Sequence, residues 1–312
     1  MKILVTDPLA EEAMDMLREN HEVVVNKVTG DELAAVIGPY HALMVRSGTQ
    51  VTPEVIRRAD NLQVIGRAGI GVDNIDVKAA SAKGIKVVNS PTGATPSVAE
   101  LAIGHMISLA RHLPRADRTI RSGEWAKKQL KGVELHGKTL GLVGCGNIGQ
   151  LVAHTARAFN MTVIGYDPYI GAEEMAEHHI TRMDSLDDLM SRADFISLHV
   201  PHTKQTHHLI DAGMLAKMKP TAFLVNCARG GVVDEEALYQ TLKAGRIAGA
   251  ALDVYEKEPP GKPKLAELDN VVFTPHLGAA TREGQTRAGT VCAEQVLKVL
   301  AGEEPDFWVN RA

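Results

Sequence analysis

The stretch Thr139-Leu140-Gly141-Leu142-Val143-Gly144-Cys145-Gly146-Asn147-Ile148-Gly149-Gln150 constrains this chain more than any other. A short apolar strand runs through a glycine turn into a helix. Gly144, Gly146 and Gly149 fit G-x-G-x-x-G: the first permits a tight turn, the second lets backbone approach a pyrophosphate, and the third brings helix close to strand. The pyrophosphate would sit on the unpaired N–H groups of the new helix, favoured by its positive dipole end. Ordinary glycine-rich strand-to-helix turns also meet this spacing. Context narrows the reading: the second strand, Met161 to Tyr166, follows at βαβ distance and ends in Asp167, 18 residues after Gly149. That is where a dinucleotide fold places the acid that accepts the adenosine ribose hydroxyls.

Around this loop, short apolar runs alternate with helical patterns. Strands are predicted at Ile3 to Thr6, Val23 to Val25, Ala42 to Val45, Val64 to Ile65 and Ile85 to Val88, with helices such as Leu9 to Glu19, Asp31 to Ile37 and Pro53 to Ala59 between them. A long apolar helix, Ser97 to His112, follows between Pro96 and Pro114. The second half repeats the alternation with six strands, Thr139 to Val143, Thr162 to Tyr166, Asp194 to His199, Ala222 to Asn226, Ile247 to Leu252 and Val271 to Thr274, and a last helix from Arg282 to Leu300. Strand alternating with helix argues parallel sheets covered on both faces. The expected fold is therefore α/β with two doubly wound domains, a flavodoxin-like substrate domain (1–97 and 281–312) and an inserted Rossmann dinucleotide-binding domain (98–280). The last helix returns to the first domain, and the active cleft is expected between the two.

Composition excludes several functions. A net charge of −4 over 312 residues offers no basic patch for nucleic acid or a membrane surface. No stretch approaches the roughly 18 apolar residues of a membrane helix, and the N-terminal apolar run breaks too early for a signal peptide. Cys145, Cys227 and Cys292 lie far apart without metal spacing, which suits a reducing cytoplasm. His199, His202, His207 and His208 lack the carboxylate or cysteine company of a metal site, so no metal is expected and His207 and His208 are read as solvated.

Loops at the carboxyl ends of the second sheet's strands should face the crevice. They carry His199, then Cys227 to Gly231, then Asp253 to Glu258, then Pro275 to Gly278. Hydride transfer between a 2-hydroxy acid and a nicotinamide needs a base for the hydroxyl proton and a cation for the oxygen and carboxylate. His276 could serve as the base, Glu258 could orient it, and Arg229 could hold a carboxylate in two-pronged fashion. Each has a plainer alternative: Arg229 as a helix cap, Glu258 as a polar loop residue, and His276 as a structural histidine.

The segments Asn226-Cys227-Ala228-Arg229-Gly230-Gly231-Val232-Val233-Asp234, Ala250-Ala251-Leu252-Asp253-Val254-Tyr255-Glu256-Lys257-Glu258-Pro259-Pro260 and Thr274-Pro275-His276-Leu277-Gly278 resemble the D-isomer-specific 2-hydroxyacid dehydrogenases. Val45 to Thr49, Gly66 to Asp76 and Gly132 to Thr139 place the resemblance nearest to members that oxidise 3-phospho-D-glycerate to 3-phosphohydroxypyruvate. The resemblance implies that Arg229 holds the substrate and that His276 with Glu258 is the acid/base pair. It implies NAD as cofactor, contacted by Gly144, Gly146, Asn147, Ile148, Gly149, Asp167, Thr206, Cys227, Ala228, Asp253 and Gly278. Backbone at Gly69, Ile70 and Gly71 would receive the substrate carboxylate, and Arg46 and Arg67 a phosphate. The position of Asn147 is often arginine in these enzymes, which removes one cation but leaves the helix N–H donors. Many relatives continue into a serine-sensing domain, whereas this chain stops at Ala312, so feedback through such a domain is not expected.

Two rivals remain at this level: another 2-keto acid reductase, for glyoxylate or hydroxypyruvate, and a non-catalytic NAD sensor like the C-terminal binding corepressors. Against the second, the chain lacks a disordered tail and keeps extra arginines on the substrate side. A small-molecule substrate is the expected partner, with no nucleic acid or membrane. A homodimer or homotetramer is expected from the apolar Ser97 to His112 helix, with Trp125, Lys127 and Lys128 reaching across.

Overall fold

The computed structural model describes residues 1–311. Contacts divide the chain into two compact units, Met1–Thr95 with Ala279–Ala312, and Pro96–Gly278. The first unit runs β1 (Lys2–Val5), α1 (Glu11–Arg18), β2 (Glu22–Val25), α2 (Gly30–Val36), β3 (Ala42–Val45), α3 (Pro53–Arg58), β4 (Val64–Arg67), α4 (Val77–Ala82) and β5 (Lys86–Asn89). Two helices follow, α5 (Thr95–Ala110) and α6 (Leu113–Arg121). The second unit continues with β6 (Thr139–Val143), α7 (Asn147–Ala158), β7 (Thr162–Tyr166), α8 (Ala172–Glu177), β8 (Thr181–Arg182), α9 (Leu186–Arg192) and β9 (Phe195–Leu198). It ends with α10 (Ala212–Leu215), β10 (Phe223–Asn226), α11 (Glu235–Lys243), β11 (Gly249–Leu252) and β12 (Val271–Phe273), and α12 (Arg282–Leu300) belongs to the first unit.

Among the described residues, the first unit's sheet has the order β2-β1-β3-β4-β5, every pairing parallel. This is the flavodoxin-like order. Its strands alternate between two cores. Leu4, Leu43, Val45, Ile65 and Val87 pack against Leu33, Ile37 and Ile56, while Ile3, Val5, Met44, Val64 and Val88 pack against Ala13, Leu17, Cys292 and Val296. A sheet buried on both faces needs apolar residues at successive positions, which is why its strands read as continuous apolar runs. The second unit's sheet has the order β12-β11-β10-β9-β6-β7-β8, again all parallel. The order reverses between β6 and β9, so the crevice of a dinucleotide fold lies outside these two strands' carboxyl ends.

Helix starts follow local chemistry. Thr52, Asp76, Asp234 and Thr281 each accept a hydrogen bond from an amide three residues on, capping α3, α4, α11 and α12. Three elements differ from the sequence reading. Helix α5 spans Thr95–Ala110, ending two residues before His112, which takes a left-handed conformation with φ 53°. Pro114 then opens α6 instead of merely ending α5, because proline suits the first helical turn, where its missing N–H has no partner to lose. The seventh strand of the second sheet, β8, has two residues and too little pattern to register. Helix α5 is also not buried all round: Glu100 and Gly104 are exposed and Leu101, Ile107 and Ser108 partly so, forming one stripe.

The return of α12 to the first sheet depends on a close contact at Gly66 in β4. A Cβ there would lie 2.5 Å from Val296 Cγ2, 2.7 Å from Met44 Sδ and 2.9 Å from Cys292 Sγ. Overpacking a filled core costs about 1–3 kcal/mol, so Gly66→Ala should lower the thermal unfolding midpoint measurably; an unchanged midpoint by calorimetry would show that the contact relaxes freely.

Candidate active site

The glycine loop of the second unit joins β6 to α7, whose N-cap is Gly146. Gly144 adopts φ 93° and packs so closely on β9 that a Cβ would lie 2.6 Å from the His199 carbonyl oxygen. At Gly149 a Cβ would lie 2.4 Å from the Gly144 carbonyl oxygen, so the helix crosses tight against the turn. At Gly146 a Cβ would meet nothing within 4 Å, leaving the approach to the helix N-terminus open. Asn147, Ile148 and Gly149 form the first turn of α7, whose amides lack intrahelical acceptors. Asp167, just past β7, accepts from the amides of Cys145 (3.0 Å), Tyr169 (2.9 Å) and Ile170 (3.3 Å), so its carboxylate joins the loop to the strand end. Burial lowers the pKa of His199 to about 4, and its buried Nδ1 has no hydrogen-bond partner among the described residues. Open backbone amides, a strand-end carboxylate and an unsatisfied ring nitrogen suit a phosphorylated dinucleotide.

Loops after β10, β11 and β12 carry the remaining residues. Arg229 follows Cys227 and Ala228, both buried, and its Nη1 donates to the Ala228 carbonyl (2.7 Å). The Asn226 side chain accepts from Ala228 N (3.1 Å) and donates to the Arg229 carbonyl (3.1 Å), closing this turn. Gly230 presses it onto the next loop: a Cβ there would lie 1.7 Å from the Tyr255 carbonyl oxygen. Glu258 Oε2 and His276 Nδ1 are 2.6 Å apart, and Glu258 Oε1 accepts from Tyr255 N (3.1 Å). His276 sits in the left-handed region, φ 54°, which costs a non-glycine residue energy. Asp253, 1% exposed, holds that turn: its oxygens accept from Leu277 N (2.7 Å), Gly278 N (2.9 Å) and the Thr274 hydroxyl (2.5 Å), and its carbonyl accepts from His276 N (2.8 Å). Thr206 closes its own turn by donating to the Pro201 carbonyl (2.6 Å).

The histidines at 202, 207 and 208 are not independently solvated. His202 Nε2 meets His207 Nδ1 at 3.1 Å, the His207 and His208 rings stack at 4.0 Å, and His208 Nε2 meets Glu256 Oε1 at 3.0 Å. No group of three or more possible metal ligands comes together among the described residues.

In the first unit, β3 and β4 pair with Val45 opposite Arg67, so Arg46 and Arg67 emerge at neighbouring carboxyl ends. The Arg67 guanidinium lies against the following loop, since a Cβ on Gly69 would be 1.5 Å from its Nη1. The Gly69–Gly71 loop is held by Asn89 Nδ2, which donates to the Ile70 carbonyl (2.6 Å), and by Ser90 N on the Gly69 carbonyl (3.0 Å). Asp7 accepts from Arg46 N (2.6 Å), and Asn74 Nδ2 donates to the carbonyls of Arg46 (2.8 Å) and Thr49 (2.6 Å).

Residues 103–278 match the family model of the D-isomer specific 2-hydroxyacid dehydrogenase, NAD binding domain. The chain belongs to the D-isomer-specific 2-hydroxyacid dehydrogenases. Its NAD-binding domain makes NAD the cofactor. It is 53% identical over 311 residues to a D-3-phosphoglycerate dehydrogenase of Methanocaldococcus jannaschii, covering 99% of this chain and 59% of that protein. The chain thus spans little more than half the length of the first curated relatives it matches. A hydroxypyruvate reductase of Thermotoga maritima is 49% identical over 304 residues, covering 96% of this chain and 98% of that protein. Among solved structures, the D-lactate dehydrogenase from Aquifex aeolicus complexed with NAD and lactic acid superposes with a TM-score of 0.89 at 28% identity, covering both chains fully.

In this chain, electrostatics couple His276 to Glu258. The hydrogen bond to Glu258 raises the imidazole pKa above 6.5, against burial and the Arg229 charge. Burial pushes Glu258 up, but hydrogen bonds from His276 and Tyr255 N, with the charges of His276 and Arg229, bring it below 4.5. The Arg229 charge acts on both groups, lowering the pKa of each. The raised His276 stabilises the fold in full below 6.5 and loses this contribution as pH rises through its folded value. The depressed Glu258 stabilises above 4.5 and loses its contribution as pH falls through its own. Sequence reasoning missed Asp7, Asn74, Asn89, Asn226, His105, Thr274 and Tyr255, whose hydrogen bonds hold the loops. Thr274 and Tyr255 stand inside recognisable motifs, but no spacing marks which loop they hold. His276 should titrate above 6.5 by NMR and move down in Glu258→Gln; an unmoved titration would break the coupling.

Proposed function

We propose that this chain oxidises 3-phospho-D-glycerate to 3-phosphohydroxypyruvate with NAD, or runs the reverse reaction. The observation that carries the substrate is the pair Arg46 and Arg67 on adjacent strand ends, two cations suited to a phosphate. The name of the relative from M. jannaschii supports the same substrate. In oxidation, His276 takes the hydroxyl proton. Its Nδ1 is engaged by Glu258, which leaves Nε2 for the substrate, and the Glu258 carboxylate stabilises the resulting imidazolium. Arg229 binds the substrate's carboxylate and polarises the developing carbonyl oxygen. The amides of Gly69, Ile70 and Gly71 receive the carboxylate as well. In reduction, His276 returns the proton to that oxygen. Bound NAD supplies the hydride acceptor, and NADH the hydride in reverse.

The cofactor would be held at its pyrophosphate by Gly144, Gly146, Asn147, Ile148 and Gly149, at its ribose by Asp167, and elsewhere by Thr206, Cys227, Ala228, Asp253 and Gly278. Asp167 is followed by Pro168 and Tyr169, with no arginine to neutralise a 2′-phosphate, so NADH should exceed NADPH in kcat/KM. Equal efficiency would remove that assignment. A cytoplasmic setting is supported by the three free, buried cysteines and is checked by cell fractionation.

Hydroxypyruvate is the second reading, supported by the T. maritima relative, which this chain covers almost end to end. One assay separates the two. Each charged hydrogen bond lost costs about 1.5–3 kcal/mol, so Arg67→Ala should weaken kcat/KM for phosphohydroxypyruvate about tenfold or more and barely change hydroxypyruvate reduction. Equal losses on both would assign the arginines to the fold, and a wild type preferring hydroxypyruvate would make the protein a hydroxypyruvate reductase.

We also propose at least a dimer. Beside the exposed stripe on α5, the residues that follow it in the chain include Leu113, Ile120, Trp125 and Val133, which are 48%, 58%, 78% and 42% exposed. Exposed apolar side chains along this segment suit a partner copy, with Lys127 and Lys128 next to Trp125 in sequence. Light scattering at micromolar concentration should give twice the chain mass or more, and a monomeric mass would end the proposal.

A further inference from the structure

Helix α5 carries one imidazole where the rest of its buried surface is mostly apolar. His105 is 3% exposed. A buried polar group needs a partner, and its choice of partner is informative. His105 Nε2 lies 3.1 Å from Thr274 Oγ1, which lies 2.5 Å from Asp253 Oδ1. An ionised carboxylate has no proton to give, so the threonine hydroxyl donates to Asp253. The same oxygen can then only accept from His105, whose Nε2 must carry the proton. Burial lowers the His105 pKa despite the nearby Asp253 charge, which is consistent with a neutral ring of that tautomer. The Asp253 carboxylate in turn accepts from the amides of Leu277 and Gly278, the two residues that follow His276 in its turn.

We propose that His105 is a positioning residue for the acid/base histidine, acting through Thr274 and Asp253 on the turn that carries His276. The proposal rests on the reading of His276 as acid/base. The mechanism is geometric. His276 holds φ 54°, a conformation that persists only where its surroundings impose it. Asp253 imposes it with three hydrogen bonds to the turn, two through its carboxylate and one through its carbonyl. A carboxylate with two oxygens can rotate, and the Thr274 hydroxyl holds one of them. Thr274 can itself rotate, and the His105 N–H fixes its oxygen as an acceptor. Removing the His105 donor frees the hydroxyl to turn, loosens Asp253 and lets the His276 ring drift from Glu258.

The experiment compares His105→Leu, which removes the donor, with His105→Gln, whose amide N–H can replace it. Misplacing a catalytic group by about 1 Å can cost up to about a hundredfold in rate, so His105→Leu should lower kcat for phosphohydroxypyruvate reduction about tenfold, while Gln restores most of it. The unfolding midpoint should stay near wild type in both. Thr274→Val should reproduce the loss, and the His105→Leu/Thr274→Val double variant should fall no further, because the two act in one chain. His105→Leu should also move the NMR titration of His276 down, its charged neighbours being Glu258, Asp253 and Arg229, a readout that needs no substrate. A wild-type kcat in His105→Leu, equal losses in Leu and Gln, or additive losses in the double variant would overturn the proposal. Should His105→Leu fail to fold, Thr274→Val carries the same test. His276→Ala separates the two levels: its loss should be about 10²–10⁴-fold, and near-normal turnover there would remove the acid/base reading itself, whereas a dead His276→Ala beside an unaffected His105→Leu removes only the role of His105.

Discussion

Burying a parallel sheet on both faces leaves its strand ends as the places where polar side chains can gather. In the second unit, the glycine loop, Asp167, Arg229, Asp253, Glu258 and His276 all follow the carboxyl ends of strands. None lies within a strand, because Leu198, Leu224, Val225, Ala250, Ala251 and Leu252 are at most 1% exposed. A charge at those positions would have to be desolvated without water to compensate it. The parallel arrangement also aims every strand the same way, so chemistry dispersed over more than a hundred residues of chain is collected on one edge.

Collection on one edge does not by itself aim a side chain. That work falls to backbone contacts and buried carboxylates. Gly230 brings the arginine loop against Tyr255, a separation that a methyl group would forbid. Asp253 holds the turn of His276 from beneath, and Asp7 holds the turn of Arg46 in the first unit. Each carboxylate binds amides of another segment, which replaces the water it loses on burial. The same device recurs at Asp167, which joins the end of β7 to Cys145 in the glycine loop.

The coupled pair His276 and Glu258 shows how such a site tunes a proton. About half of the His276 side chain and a third of the Glu258 side chain remain exposed. The pair is therefore neither a buried ion pair with a large desolvation cost nor a screened surface one. Its shifts come first from the short hydrogen bond on the imidazole side, while on the carboxylate side burial works against it. Raising the imidazole pKa makes the ring a better base and favours its charged form, the property the proposed acid/base role requires.

The amino-acid order alone determined the two parallel-sheet units, because alternating apolar runs and helical periods leave few other ways to bury them. It also marked the glycine loop, where three spacings are dictated by close packing, and the polar residues that follow strands. Five-residue strands such as Thr139–Val143 and Thr162–Tyr166 were legible to the residue. The two-residue β8 and the helix opened by Pro114 were not, since a proline reads equally as an end or a start until the preceding His112 turns left-handed. The supports of the site were beyond the reach of sequence. Asp253 and His105 are separated by nearly 150 positions, and nothing local distinguishes a buried helix histidine that fills space from one that orients a threonine. Only the tertiary packing decided that, because a hydrogen bond requires donor and acceptor within about 3 Å, and for distant residues that proximity is a property of the fold.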